Sequence, residues 1–163
     1  MRYDKPGQEY HLHNDWFPST DPTTRLAKSG GNRVSSFFAY VYVRGNDTTG
    51  GGTQFPLVDA PKLSYGMGGD GDGGWCDIVD CDRPWEEGIT FRPVEGNAIY
   101  WENLNADGSS AMMMANGGLG DPRVVHAGLL LTSGDKIGMN IWTREAPLGE
   151  DVRGGEGWEY PDV

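Results

Sequence analysis

The chain has 163 residues, 24 of them acidic and 13 basic, for a formal net charge of −11 at pH 7. That balance excludes nonspecific nucleic-acid binding, because affinity for a phosphate backbone needs clustered Lys and Arg, and no nucleic-acid partner is expected. The longest apolar or aromatic run, Phe37 to Val43, falls far short of the ~20 residues that cross a bilayer, so no membrane partner is expected either. The opening Met-Arg-Tyr-Asp-Lys-Pro has no apolar leader core, so no signal peptide is expected. The length suits one domain, expected over residues 1–147, followed by an acidic tail over 148–163. With 26 glycines, 10 prolines and 37% hydrophobic residues, the composition points to short strands joined by many turns.

In chain order, the first predicted strand runs from Glu9 to Trp16, and a polar, Pro- and Gly-bearing loop follows from Phe17 to Asn32. Arg33 to Val43, RVSSFFAYVYV, is rich in β-branched and aromatic residues and reads as a central strand. Strict alternation puts Phe37, Ala39, Val41 and Val43 on one face and Phe38, Tyr40 and Tyr42 on the other. A short strand is predicted at Thr53 to Pro56, then a long loop from Asp59 to Glu87. Within that loop Asp70-Gly-Asp72-Gly invites a calcium reading, but an EF-hand needs a third ligand where Gly74 stands and a Glu where Cys81 stands. A solvated loop is expected instead. Cys76 and Cys81 suit either a local disulfide or two free thiols and lack the second pair of a structural zinc site. Further strands are predicted at Ile89 to Arg92, Asn97 to Glu102, Arg123 to Leu131 and Lys136 to Arg144. Seven or eight short strands without a useful amphipathic helix indicate an all-β barrel or sandwich.

The candidate chemistry lies with the three histidines, His11, His13 and His126. His13-Asn14-Asp15 places an imidazole and a carboxylate at i and i+2, which on a strand point to the same side. A lone His-x-Asp is more often a surface hydrogen-bonded pair. With a distant third ligand it becomes the two-His-one-carboxylate face of non-heme Fe(II), which leaves three coordination positions open. His126, followed by the small Ala127-Gly128, is the natural third ligand. Lys136 comes ten residues later, then Trp142 and Arg144. A cation on the neighbouring strand suits the far carboxylate of a dicarboxylate cosubstrate.

Five segments resemble the prolyl 4-hydroxylase branch of the Fe(II)/2-oxoglutarate dioxygenases, in family order: RYDKPGQEYHLHNDWF, RVSSFFAYVYV, GGGTQFP, FRPVEGNAIYWENL and DPRVVHAGLLLTSGDKIGMNIWTR. Together they span the chain from Arg2 to Arg144. The resemblance implies a double-stranded β-helix, a cupin-like jelly roll, with iron held by His13, Asp15 and His126. It matches Lys136 to the residue that binds the distal carboxylate of 2-oxoglutarate and Tyr40 to a tyrosine bonding the same group. The resemblance likewise implies that Thr53 walls that pocket, that Tyr3 and Tyr10 flank the metal and cosubstrate, and that Trp142 lies beside the site. His11 shares strand parity with His13 but does not match a ligand position.

The implied activity is hydroxylation of proline in a peptide or protein, with Fe(II), 2-oxoglutarate and O2 consumed or used, ascorbate as reductant, and succinate and CO2 released. Asp15 favours hydroxylation, because halogenating relatives carry a small residue there. Two other readings stand beside it: a catalytically weak metal- and 2-oxoglutarate-binding protein or fragment, and a hydroxylase of a free amino acid or other small molecule. Relatives carry a strand and helices ahead of the Tyr-x-x-x-Gly-Gln segment, which here begins at Tyr3. Without this helical support layer, the outer face of the larger sheet is expected to be uncovered, or covered by loops or a homo-oligomer.

Overall fold

The computed structural model describes residues 1–17, 30–60, 74–104 and 120–149. The expected calcium-free loop at Asp70 and Asp72, most of the loop after Phe17 and nearly all of the acidic tail lie outside these residues. The long aromatic segment forms a strand, β3, over its full predicted range Arg33–Val43. In chain order the other strands are β1 (Arg2–Tyr3), β2 (Tyr10–His13), β4 (Thr49–Gly50), β5 (Thr53–Phe55), β6 (Ile89–Phe91), β7 (Ala98–Glu102), β8 (His126–Gly128), β9 (Leu131–Ser133) and β10 (Lys136–Arg144).

The strands make two four-stranded antiparallel sheets, ordered β1-β10-β3-β7 and β2-β8-β5-β6, with β4 and β9 forming a short ribbon. This is the jelly-roll arrangement expected of the sequence. Between the sheets, Phe38, Tyr40 and Val43 from β3 and Ile99 and Trp101 from β7 meet Phe55 and Ile89 from the smaller sheet. Each fully buried side chain of this size contributes roughly 1.5–3 kcal/mol.

Two predicted strands are altered by local chemistry. Arg123 to Leu131 is not continuous: Asp121 caps a 3-10 turn over Pro122–Val124, β8 begins only at His126, and β9 follows after a break. Proline at the first turn position presets its φ, and the Asp121 carboxylate accepts from the Arg123 amide. The segment from Glu9 to Trp16 is strand only at Tyr10–His13, so Asp15 lies in a bend beyond the strand end. A four-residue helix, α1 (Trp75–Ile78), carries Cys76, which is disulfide-bonded to Cys81.

A bulge reverses the end of the central strand. Ile137 pairs with Tyr42 but Gly138 pairs with Tyr40, leaving Val41 as the extra residue. One extra residue inverts the alternation beyond it, so Tyr42 is 38% exposed and Val43 is buried in the core, opposite to the expected faces. Outside the larger sheet, Phe37, Val41, Tyr100, Ile137, Met139 and Ile141 are 39–59% exposed.

Candidate metal centre and anion pocket

The end of β2 and the start of β8 are adjacent. His13 pairs directly with His126, and their ring centroids lie 4.3 Å apart. The bend after β2 turns the buried Asp15 back towards both rings, so the carboxylate reaches the site by leaving the strand rather than by strand parity. One ligand atom from each of His13, Asp15 and His126 lies within 4.8 Å of the others.

Backbone carbonyls determine which imidazole nitrogens are free. His13 Nδ1 is 2.7 Å from the His11 carbonyl and His126 Nδ1 is 2.9 Å from that of Val124. A carbonyl only accepts, so each Nδ1 carries the hydrogen and each Nε2 keeps its lone pair. These Nε2 atoms face the two Asp15 oxygens at 3.7 Å and 3.9 Å. Burial lowers the His126 pKa below its usual value, which favours the neutral ring that coordinates metal. Phe55 stacks on His126 at 5.4 Å and Trp101 meets it edge-on at 4.7 Å, fixing the ring plane.

His11 plays a different part. Its side chain is 89% exposed and lies 3.5 Å from Glu9, and a register irregularity between Tyr10 and His13 breaks the expected parity with His13. Its contribution to the site is the backbone carbonyl that orients His13.

The same cavity that His13 and His126 line continues to Thr53, Tyr3 and Lys136. Lys136 opens β10 in the larger sheet, so it comes from the layer opposite His126 and not from the neighbouring strand expected. Its side chain is 1% exposed, its ammonium donates to the Gly51 carbonyl, and it sits 4.5 Å from the Tyr3 ring centroid. No ion pair to Lys136 occurs among the described residues. Burial brings its pKa down to about 8.

Tyr40 and Thr53 share a buried hydroxyl–hydroxyl hydrogen bond of 2.7 Å. Burial raises the Tyr40 pKa, so its phenol stays a neutral donor. A side chain at Gly128 would bring a Cβ within 3.3 Å of the Tyr3 hydroxyl, so the small residue keeps the cavity open. A His2Asp donor set beside a buried cation that has no carboxylate partner among the described residues fits Fe(II) together with an anionic chelator.

The remaining expected residues surround this centre. Tyr10 is half-exposed at the rim, edge-on to His13 at 4.2 Å. Trp142 contacts Asp15 rather than the cavity: its Nε1 donates to Oδ2 at 3.1 Å. Arg144 donates to the Gly31 carbonyl, away from the cavity.

Three further residues serve Asp15. Ser36 donates to its Oδ2 at 2.6 Å, Asn103 donates to Ser36 Oγ at 2.9 Å, and Arg33 donates to its carbonyl at 3.3 Å. The Arg33 guanidinium lies over Trp142 at 3.7 Å and over Phe17 at 5.0 Å. Ser36 had a signal in the sequence, being the polar residue on the inward parity of Phe38 and Tyr40.

No protein-family model matches the chain. Prolyl 4-hydroxylase 1 of Arabidopsis thaliana is 31% identical over 145 residues, covering 89% of this chain and 39% of that protein. Prolyl 4-hydroxylase 2 of the same plant is 30% identical over 142 residues, covering 87% and 39%. The chain thus spans 39% of the length of these relatives. The viral collagen prolyl hydroxylase of Paramecium Bursaria Chlorella virus-1, solved as a 2OG complex, shares the fold with a TM-score of 0.50 and 22% identity, covering 86% of this chain and 54% of that one. Over most of its length the chain is thus prolyl 4-hydroxylase-like in sequence, and it shares the fold of the viral collagen prolyl hydroxylase.

Proposed function

We propose that the chain hydroxylates proline within a peptide or protein, using Fe(II), 2-oxoglutarate and O2. The observation that carries the reading is the buried Lys136 ammonium, which has no acidic partner among the described residues and faces the cavity that His13 and His126 line. A buried charge is costly unless a counter-charge arrives, and a dicarboxylate chelating a metal would supply it.

In this reading His13, Asp15 and His126 hold Fe(II), through the two Nε2 atoms and one carboxylate oxygen. Iron bound there supplies oxidative decarboxylation of 2-oxoglutarate to succinate and CO2, coupled to hydroxylation. Lys136 takes the distal carboxylate, with the Tyr40–Thr53 hydroxyl pair and Tyr3 beside it. Phe38 and Trp101 keep water from that end of the cavity. Trp142 holds Asp15. Tyr10, at the rim, is where an extended substrate first meets the site. Ascorbate serves as reductant.

The names of the curated relatives support proline as the target. The acidic balance suits a basic segment around it. The exposed outer face of the larger sheet supports self-association; sedimentation that stays monomeric at rising concentration would count against it. The function is tested with Fe(II), ascorbate and 2-oxoglutarate plus one of three candidates: a Pro-Ser repeat peptide, a Pro-Gly repeat peptide or free L-proline. A peptide should yield succinate and a product heavier by one oxygen, because contacts remote from the reacting carbon hold it in line. Turnover of free proline alone would refute the peptide reading.

A further inference from the structure

We propose that Ser36 and Asn103 form a positioning relay that holds Asp15 to one ligand oxygen and so keeps three metal positions open. The inference rests on the metal reading above. Asp15 Oδ2 accepts from Ser36 Oγ at 2.6 Å and from Trp142 Nε1 at 3.1 Å. Two donors occupy the two lone pairs of that oxygen. His126 Nε2 lies 3.9 Å from that same oxygen, whose lone pairs are taken; Oδ1 faces His13 Nε2 and Arg33 Nη1, each at 3.7 Å and beyond hydrogen-bond distance, and is the one left to coordinate. A carboxylate bound through both oxygens would take a fourth of six positions, leaving two where a chelator and a third ligand need three.

The relay has a direction. A carboxylate only accepts, so the single hydroxyl hydrogen of Ser36 goes to Asp15. Asn103 then has to present its amide hydrogen to Ser36 Oγ, and Nδ2 lies 2.9 Å away. That contact fills the acceptor side of the hydroxyl and removes its alternative rotation. The Asn103 backbone is pinned from both sides: its N–H donates to Val34 and its carbonyl accepts from Asp121.

Asn103 is 0% exposed, and its Oδ1 has no hydrogen-bond partner among the described residues. An orphaned buried amide oxygen costs stability. The side chain is therefore held at this place for its donor.

Co(II) is the probe, read by calorimetric affinity and by its d–d absorption, with the melting temperature of the metal-free protein as fold control. Ser36→Ala should weaken Co(II) binding on the order of 10- to 100-fold and change the d–d intensity as Oδ2 joins the metal. Asn103→Leu should shift both readouts in the same direction by less. Because the two act in series, the double variant should match Ser36→Ala. If Ser36→Ala does not fold, Asn103→Leu carries the test. Folded variants with parental affinity and spectrum overturn the relay, and an additive double variant overturns its serial order. Failure of the parent protein to bind Co(II) overturns the metal reading itself, a separate result.

Discussion

Lys136→Met should leave the ligand-free protein at least as stable while weakening 2-oxoglutarate binding. The ammonium is buried, and its pKa falls from the ordinary 10.5 to about 8 because burial disfavours the charge. Holding it charged in the folded protein therefore costs about 3 kcal/mol. Methionine fills a similar volume without charge and forfeits the charge-assisted hydrogen bond to the Gly51 carbonyl, worth ~1.5–3 kcal/mol. The net expectation at pH 7 is between no change and a gain of about 1.5 kcal/mol by urea denaturation without metal. In the parent protein the lysine cost is fully present below about pH 8 and is relieved as pH rises towards 10.5, so the advantage of the variant should shrink over that window. Binding moves the other way: losing a charge-assisted contact of ~1.5–3 kcal/mol lowers 2-oxoglutarate affinity on the order of 10- to 100-fold in Mn(II)-loaded protein. A variant that is less stable at pH 7 would refute the unpaired buried cation. Unchanged 2-oxoglutarate affinity would refute its role as the anion anchor.

In the parent protein, 2-oxoglutarate affinity should fall as pH rises above about 8, approaching tenfold per pH unit, because the ligand binds the protonated lysine; a flat calorimetric profile to pH 9 would assign the carboxylate elsewhere. His13→Ala, Asp15→Ala and His126→Ala should each abolish tight Mn(II) binding, whereas His11→Ala, whose exposed ring lies outside the cluster, should leave it intact by titration calorimetry. Gly138→Ala would put a Cβ 2.3 Å from Phe38 Cζ, so overpacking between β10 and β3 should cost about 1–3 kcal/mol in urea; parental stability would mean the two strands part without penalty.

Residue types and short spacings carried much of this protein. Alternation and β-branching in RVSSFFAYVYV marked β3 from end to end, because a strand's side-chain period is a property of its own backbone. The same local logic brought out His13, Asp15, His126 and Lys136, whose chemistry is unusual enough to notice without a partner in view. Other features depend on strands far apart in the chain. Val43 faces the core only because a bulge against β10 adds one residue at Val41, and nothing within β3 announces that register. Asp15 turns inward through a bend beyond β2, and Lys136 reaches the cavity from the opposite sheet, so their meeting is a product of sheet packing. The bond from Asn103 to Ser36 crosses a sequence separation of 67 residues. Its two partners are ordinary polar residues until β7 and β3 pair, and hydrogen bonds between distant strands exist only once the register does.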